Sequence, residues 1–345
     1  MKSEMSKRML VCLCCAIVAC AVSVYAAGSD AGRMWRVYFT SPGSSAPAAT
    51  TPDAALIELI ANAKVSINGA FYSVSSARIA QSLMAAHARG VRVRLVTDSD
   101  YFDTRAIKEI ARCGIPVVGD GRRGLMHNKF AVIDDRIVWT GSFNLTDNSI
   151  ERNNNNAIAI VSPELAAIFN SEFEEMFQYR VFGNRKDFAI LPFLGSRYYV
   201  KIGDMNINVY FSPEDNIERI LRKRLAKAKT SVHFMAFSFT SDPLAESLIR
   251  LHKKGVRVCG VMERDGSSTK ESEYIKMKVE GISVKLDNNR YKMHHKVMII
   301  DESIVVTGSY NFSRGANVKN DENVLIIEDA EVAGMYMKEF NRLYK

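Results

Sequence analysis

Two histidines, His127 and His294, each stand two residues before a lysine and seven before an aspartate. His127-Asn128-Lys129 leads to Asp134 and His294-His295-Lys296 to Asp301, so His-x-Lys-x4-Asp occurs twice. Thirteen residues after each first histidine a second block begins: Thr140-Gly141-Ser142-Phe143-Asn144 and Thr307-Gly308-Ser309-Tyr310-Asn311. A lone His-x-Lys-x4-Asp is a weak signal, but two copies with the same downstream block at the same spacing are not chance. On an extended strand residues i and i+2 share a face, so each histidine lies beside its lysine. An imidazole can attack phosphorus or give a proton to a departing oxygen. Lys129 and Lys296 would hold positive charge against phosphate oxygens, and Asn144 and Asn311 would donate hydrogen bonds to them as charge builds in the transition state. Ser142 and Ser309 are read as substrate-binding hydroxyls. Asp134 and Asp301 close their strands and are read as supporting residues, bonded to backbone or to the neighbouring half. Two such strands facing across a pseudo-twofold axis would gather two His, two Lys and two Asn around one phosphodiester. That set can replace a metal ion electrostatically, so no cofactor is expected. No Cys/His cluster has zinc spacing, and the metal expectation is none.

The elements that must position these groups are themselves duplicated. Tyr38-Phe39-Thr40-Ser41-Pro42 echoes Tyr210-Phe211-Ser212-Pro213. An alternating run over 65–73 matches 231–238, and the helical patterns 79–88 and 244–253 each end at a glycine, Gly90 or Gly255, suited to a left-handed stop. Strands over 91–96 and 256–261, a further helix, a short strand (115–118; 282–285) and the His-x-Lys strand complete each unit. Strands alternating with helices predict an α/β fold of two similar sandwich repeats, over 34–180 and 206–345, with a linker at 181–205. The apolar run Phe188–Leu194 is read as a linker packed on the domain seam, with a lipid-facing patch as the rival. The stretch Ser41–Pro52 has no counterpart and reads as a surface loop. His87, His233, His252 and His295 fall outside the matched positions and are read as helix-surface or strand residues.

With these motifs in view, the chain resembles the phospholipase D superfamily of phosphodiesterases, marked by a paired His-x-Lys-x4-Asp followed by Gly-Ser-x-Asn. The resemblance spans essentially all of residues 34–345. It implies hydrolysis of a phosphodiester without metal: one histidine becomes phosphohistidine, and the other acts as general acid and then activates water. It also implies that the first-half histidine, His127, is the nucleophile. The family often carries an acidic residue turned toward a catalytic histidine. Glu322 stands 28 residues after His294, and the same count from His127 reaches Asn155. The expectation is that Glu322 serves His294 and makes it the more readily protonated acid, while Asn155 merely orients His127.

Composition adds limits. The 345 residues are 47% hydrophobic and 24% charged, enough for real cores and against disorder. Lys2, Lys7 and Arg8 precede the apolar run Met9–Val24, and Val24-Tyr25-Ala26 has the small-x-small form of a cleavage site. Residues 1–26 therefore read as a bacterial export signal, giving a periplasmic or secreted protein. A retained membrane anchor and a lipoprotein box at Cys20 are the alternatives. Four of six cysteines lie in that segment; Cys113 and Cys259 read as buried thiols rather than a disulfide. The net charge of +8 favours polyanions, nucleic acid or anionic lipid. On sequence, nucleic acid is slightly preferred because the connections between motifs are short. A phospholipase D or cardiolipin-type phospholipid hydrolase is the alternative, and a non-catalytic nucleic-acid or lipid-binding module the third. Both catalytic halves lie in one chain, so a monomer is expected.

Overall fold

The computed structural model describes residues 32–43, 51–183 and 199–345. The export segment, the run Phe188–Leu194 and most of the Ser41–Pro52 loop lie outside them. Val37–Lys345 forms one compact unit.

The first repeat builds a seven-stranded sheet in the order β1-β7-β6-β5-β2-β3-β4. Its strands are β1 (Trp35–Phe39), β2 (Ser66–Phe71), β3 (Arg92–Thr97), β4 (Val117–Gly119), β5 (Lys129–Ile133), β6 (Ile137–Gly141) and β7 (Asn156–Val161). The second repeat gives eight strands in the order β12-β11-β10-β13-β14-β15-β9-β8. These are β8 (Tyr199–Ile202), β9 (Met205–Ser212), β10 (Ser231–Ala236), β11 (Arg257–Met262), β12 (Ser283–Leu286), β13 (Lys296–Ile300), β14 (Ile304–Gly308) and β15 (Glu322–Glu328). β8 falls inside the range read as linker and pairs antiparallel with β9. In both sheets the three strands joined through helices run parallel, and the His-x-Lys strand returns antiparallel beside the first of them. The central strands β2, β5, β10 and β13 are buried along their whole length. Past their lysines β5 and β13 are continuous apolar runs, whereas the alternating β2 and β10 bury their polar residues Ser66, Asn68, Ser231 and His233 as well.

Local chemistry sets each return. Helices Ala77–Ala88 and Asp242–Lys253 stop before Gly90 and Gly255, whose φ values are +90° and +88°. Asp134 accepts from the backbone N–H groups of Lys64, Val65 and Ser66 at 2.7–3.1 Å, and Asp301 from those of Lys229, Thr230 and Ser231 at 2.7–3.1 Å. Both aspartates thus tie the end of the His-x-Lys strand to the start of its neighbour within their own repeat. Cys113 is exposed and Cys259 half-buried, both free thiols, which corrects the expectation that they are buried. No described helix is long and apolar enough to cross a membrane.

The Gly-Ser step has a steric cause. Gly308 has φ +144°, and a Cβ there would meet Asn323 O at 2.2 Å; at Gly141 (φ +149°) it would meet Asn156 O at 2.4 Å. The glycines let β14 and β6 press against the first residues of β15 and β7, beside Glu322 and Asn155. Gly308→Ala should therefore cost about 2–4 kcal/mol through forced backbone movement. Chemical denaturation should show the loss, and an unchanged midpoint would mean that the contact is not tight.

Candidate active site

Each histidine sits two residues before its strand and is stitched to the opposite repeat by backbone. His127 N donates to Asp321 O at 2.9 Å, and His294 N to Asn154 O at 2.8 Å. The rings follow suit. His127 Nδ1 lies 2.7 Å from Glu322 Oε2, while His294 Nδ1 lies 3.0 Å from Asn155 Oδ1 and 3.1 Å from Ser142 O. The expected pairing is therefore exchanged: Glu322 serves His127, and Asn155 serves His294. Counting along one chain assumed that each repeat supplies its own partner. The two sheets instead meet so that each repeat's partner residue reaches the other repeat's ring.

Ser142 and Ser309 are also corrected. Both are fully buried. Ser309 Oγ donates to Glu322 Oε2 at 2.7 Å and accepts from Asn323 N at 2.9 Å. Ser142 Oγ donates to Asn155 Oδ1 at 3.0 Å and accepts from Asn156 N at 3.0 Å. These hydroxyls hold the groups that hold the histidines and have no face toward a substrate. Asn155 copies the geometry of Glu322 with a neutral amide, whose spare N–H₂ finds Ser149 O at 3.3 Å.

Lys129 Nζ donates to His127 O at 2.7 Å and Lys296 Nζ to His294 O at 2.9 Å. Asn144 and Asn311 are half-buried, and the Oδ1 of each has no hydrogen-bond partner. Tyr72 packs edge-on to the His127 ring at 4.9 Å and Phe237 to the His294 ring at 4.6 Å, each with the adjacent lysine over its face. These aromatics were missed as site residues, although both stand at the same place in the duplicated strand. Also missed were Asp98 and Glu263, which follow β3 and β11 directly and bond Met126 N (3.0 Å) and Met293 N (2.6 Å). Beside Phe237 opens a pocket of about 270 Å³ walled by Phe237 and Phe239, with Glu263, Asp265 and Lys292 at its rim. His295, read as a strand residue, is fully buried between Asn156 (2.9 Å) and Glu339 (3.0 Å). Among the described residues one acidic group, Glu172, Glu175 and Glu214, brings its carboxylates close enough to hold an ion. The histidines and lysines are not part of it.

Burial dominates the electrostatics. His127 and His294 are 5% and 8% exposed. Desolvation, then the charges of Lys129 and Lys296, drive both rings well below the usual histidine range. Desolvation lowers Lys129 to about 7, with Glu322 and Asp98 opposing, and pushes Glu322 up to about 8 against Lys129, Ser309 and Asn320. His127 Nδ1 and Glu322 Oε2, 2.7 Å apart, are held in one buried hydrogen bond. With Nδ1 engaged, Nε2 is the nitrogen left to react on each ring.

A profile described as "Cardiolipin synthase, PLD-like domain" matches residues 56–177 and again 221–344. The chain belongs to the phospholipase D superfamily. It is 36% identical over 132 residues to the mitochondrial cardiolipin hydrolase of Mus musculus, a match covering 38% of this chain and 59% of that protein. The chain thus spans little more than half the length of this relative. A phospholipase D of Rickettsia typhi is 29% identical over 188 residues, covering 54% of this chain and 92% of its own. The phosphatidylserine synthase of Haemophilus influenzae superposes with a TM-score of 0.66 at 15% identity, covering 89% of this chain and 86% of that one; the two share a fold.

An anion placed between the lysines would offset the charge that keeps the rings neutral. Binding of a phosphate analogue such as orthovanadate at pH 7 should therefore draw in up to about one proton. Calorimetry in buffers of different ionisation enthalpy measures this; proton release on binding would contradict dominance of the two lysine charges.

Proposed function

We propose that this chain hydrolyses phospholipid phosphodiesters, with His127 as nucleophile and His294 as general acid. The contact that carries the assignment is His127 Nδ1 against Glu322 Oε2 at 2.7 Å. A carboxylate on Nδ1 holds the tautomer whose Nε2 carries the lone pair, and it balances the positive charge the ring acquires on bonding phosphorus. Asn155 gives His294 orientation without charge. The bound phosphodiester anion offsets the lysine charges, so that His294 takes up a proton on Nε2. In the first step His127 Nε2 bonds phosphorus, the bond from phosphorus to the leaving alcohol oxygen breaks, and that oxygen takes the Nε2 proton of His294. Water then attacks phosphorus, gives a proton to His294, and His127 Nε2 departs. Lys129 and Lys296 hold the phosphoryl oxygens, and Asn144 and Asn311 donate hydrogen bonds to them from Nδ2.

The flanks favour a lipid headgroup over a nucleic-acid strand. Beyond His294 the rim carries two carboxylates, Glu263 and Asp265, against one ammonium, Lys292. Beyond His127, Asp98 and the exposed Asp100 take the places of Glu263 and Asp265, close to Tyr72. A strand with a phosphate at every step would meet like charge on both sides, whereas a headgroup brings one phosphate and a hydroxylated or cationic alcohol. The names of the relatives, cardiolipin hydrolase and phospholipase D, support the same reading. The net charge of +8 is what favours nucleic acid.

Full-length protein should release headgroup from phospholipid vesicles and leave oligonucleotides intact; cleavage of the oligonucleotide alone would overturn the substrate assignment. Activity on bis-(p-nitrophenyl) phosphate should survive EDTA, since lysines carry the charge a metal would. His127→Ala and His294→Ala should each lower turnover by roughly 10⁴-fold or more, because the two act as one unit. Two independent sites would instead leave about half the rate in each. Acid-quench trapping should place the phosphoryl label on His127. Glu322→Gln should cut kcat by about 10²-fold with little change in KM, and Asn155→Ala by less. A label on His294 would reverse the roles.

A further inference from the structure

The positive charge of this chain is concentrated away from the histidines. Helices Ile217–Leu225 and Asp242–Lys253 pack together and leave a cavity of about 400 Å³ between them. Arg219, Arg222, Lys223, Arg250 and Lys254 line it, with Ser247 at its floor. Lys254 stands just ahead of Arg257, whose N–H bonds Thr230 O where β10 begins, whereas Lys296 pairs with Ala236 where β10 ends. The cavity and the histidines therefore belong to opposite ends of the sheet.

The duplication supplies an internal control. Counted back from Lys64 and Lys229, whose N–H groups are bound alike by Asp134 and Asp301, the positions of Arg219, Arg222 and Lys223 hold Ala54, Ile57 and Glu58 in the first repeat. Counted back from Gly90 and Gly255, Arg250 and Lys254 correspond to Ala85 and Arg89, and Arg89 is spent on Ile60 O at 2.9 Å. The fold therefore builds this helix pair without a cluster of cations. In the second repeat the neighbouring Arg224 and Lys253 are paired with Glu328 and Glu280. Of the five cations in the cavity only Arg250 has a carboxylate partner among the described residues, Glu246 at 3.4 Å, and it also reaches Ser247 Oγ at 3.0 Å. Five like charges drawn around one concavity repel one another unless an anion joins them.

We infer that this cavity binds a phosphate dianion, the terminal group of a phosphomonoester or of pyrophosphate. Guanidinium forks match the three free oxygens of such a group, and the extra negative charge distinguishes it from a diester. The inference does not depend on the catalytic roles of His127 and His294. The test is titration of the full chain with inorganic pyrophosphate at low salt, beside the variant Arg219→Ala/Arg222→Ile/Lys223→Glu, which carries first-repeat residues at these places. The variant should keep its activity on bis-(p-nitrophenyl) phosphate and its melting temperature, and should bind pyrophosphate at least tenfold more weakly or lose one bound equivalent. Arg250→Ala, on the other helix, should weaken binding as well. Glycerol phosphate and vesicles containing phosphatidate then separate the sources. Competition by the first assigns a soluble phosphate, and variant-sensitive binding to the second assigns a lipid headgroup. Pyrophosphate binding unchanged in both variants overturns the site, as does a variant-sensitive affinity for oligonucleotide with none for any phosphomonoester.

Discussion

The structure turns on an exchange of partners across the seam between repeats. Each ring nitrogen Nδ1 that is turned inward finds its acceptor on the other repeat, and the backbone beside each histidine does the same. Around these contacts lies a second tier: Asn323 Nδ2 donates to Thr140 Oγ1 at 2.6 Å and Thr307 Oγ1 to Asn156 Oδ1 at 2.8 Å. The seam at the site is thus polar, buried and directional. A hydrophobic seam would tolerate sliding, whereas one made of hydrogen bonds in low dielectric fixes register, because any slip leaves buried donors unpaired. Two lysines can be held nearly dry next to two histidines only because this frame leaves them no room to turn away.

Much of this was legible in sequence, and the reason is duplication. Repeated spacing identified the strands, the glycine stops, the histidines, the lysines and the strand-closing aspartates without knowledge of neighbours. What it could not carry was which repeat touches which. Glu322 and Asn155 were found by counting, but their targets were exchanged, since a count runs along the chain and the contact runs across the seam. Ser142 and Ser309 were misread for a related reason. A hydroxyl beside a phosphate-binding motif looks like a ligand until burial shows it bonded on both sides. Tyr72 and Phe237 were passed over within the repeated strand because their value lies in the face each turns to a lysine.

The repeats have also diverged in ways that expose individual constraints. Asn156 Oδ1 is satisfied by Thr307 and lies 3.3 Å from the hydroxyl of Tyr336; its counterpart Asn323 Oδ1 is buried without a partner. The position of Tyr336, three before Glu339, is occupied in the first repeat by Phe169, three before Glu172, which packs on Phe130 and Phe211 instead. Tyr336 also packs edge-on to Phe39 at 5.2 Å, so the first repeat has kept the aromatic packing and given up the hydrogen bond.

The difference between Glu322 and Asn155 has a consequence that reaches past the reaction itself. An assembly of two identical chains could only present the same residue to both rings, either two carboxylates or two amides. It would have to break its own symmetry anew in every turnover, through which ring happened to hold the proton. Joining the halves in one polypeptide lets the two positions mutate separately, so the choice of ring can be written permanently into the chain. Covalent fusion here is a means of giving direction to a chemical event that symmetry would leave undecided.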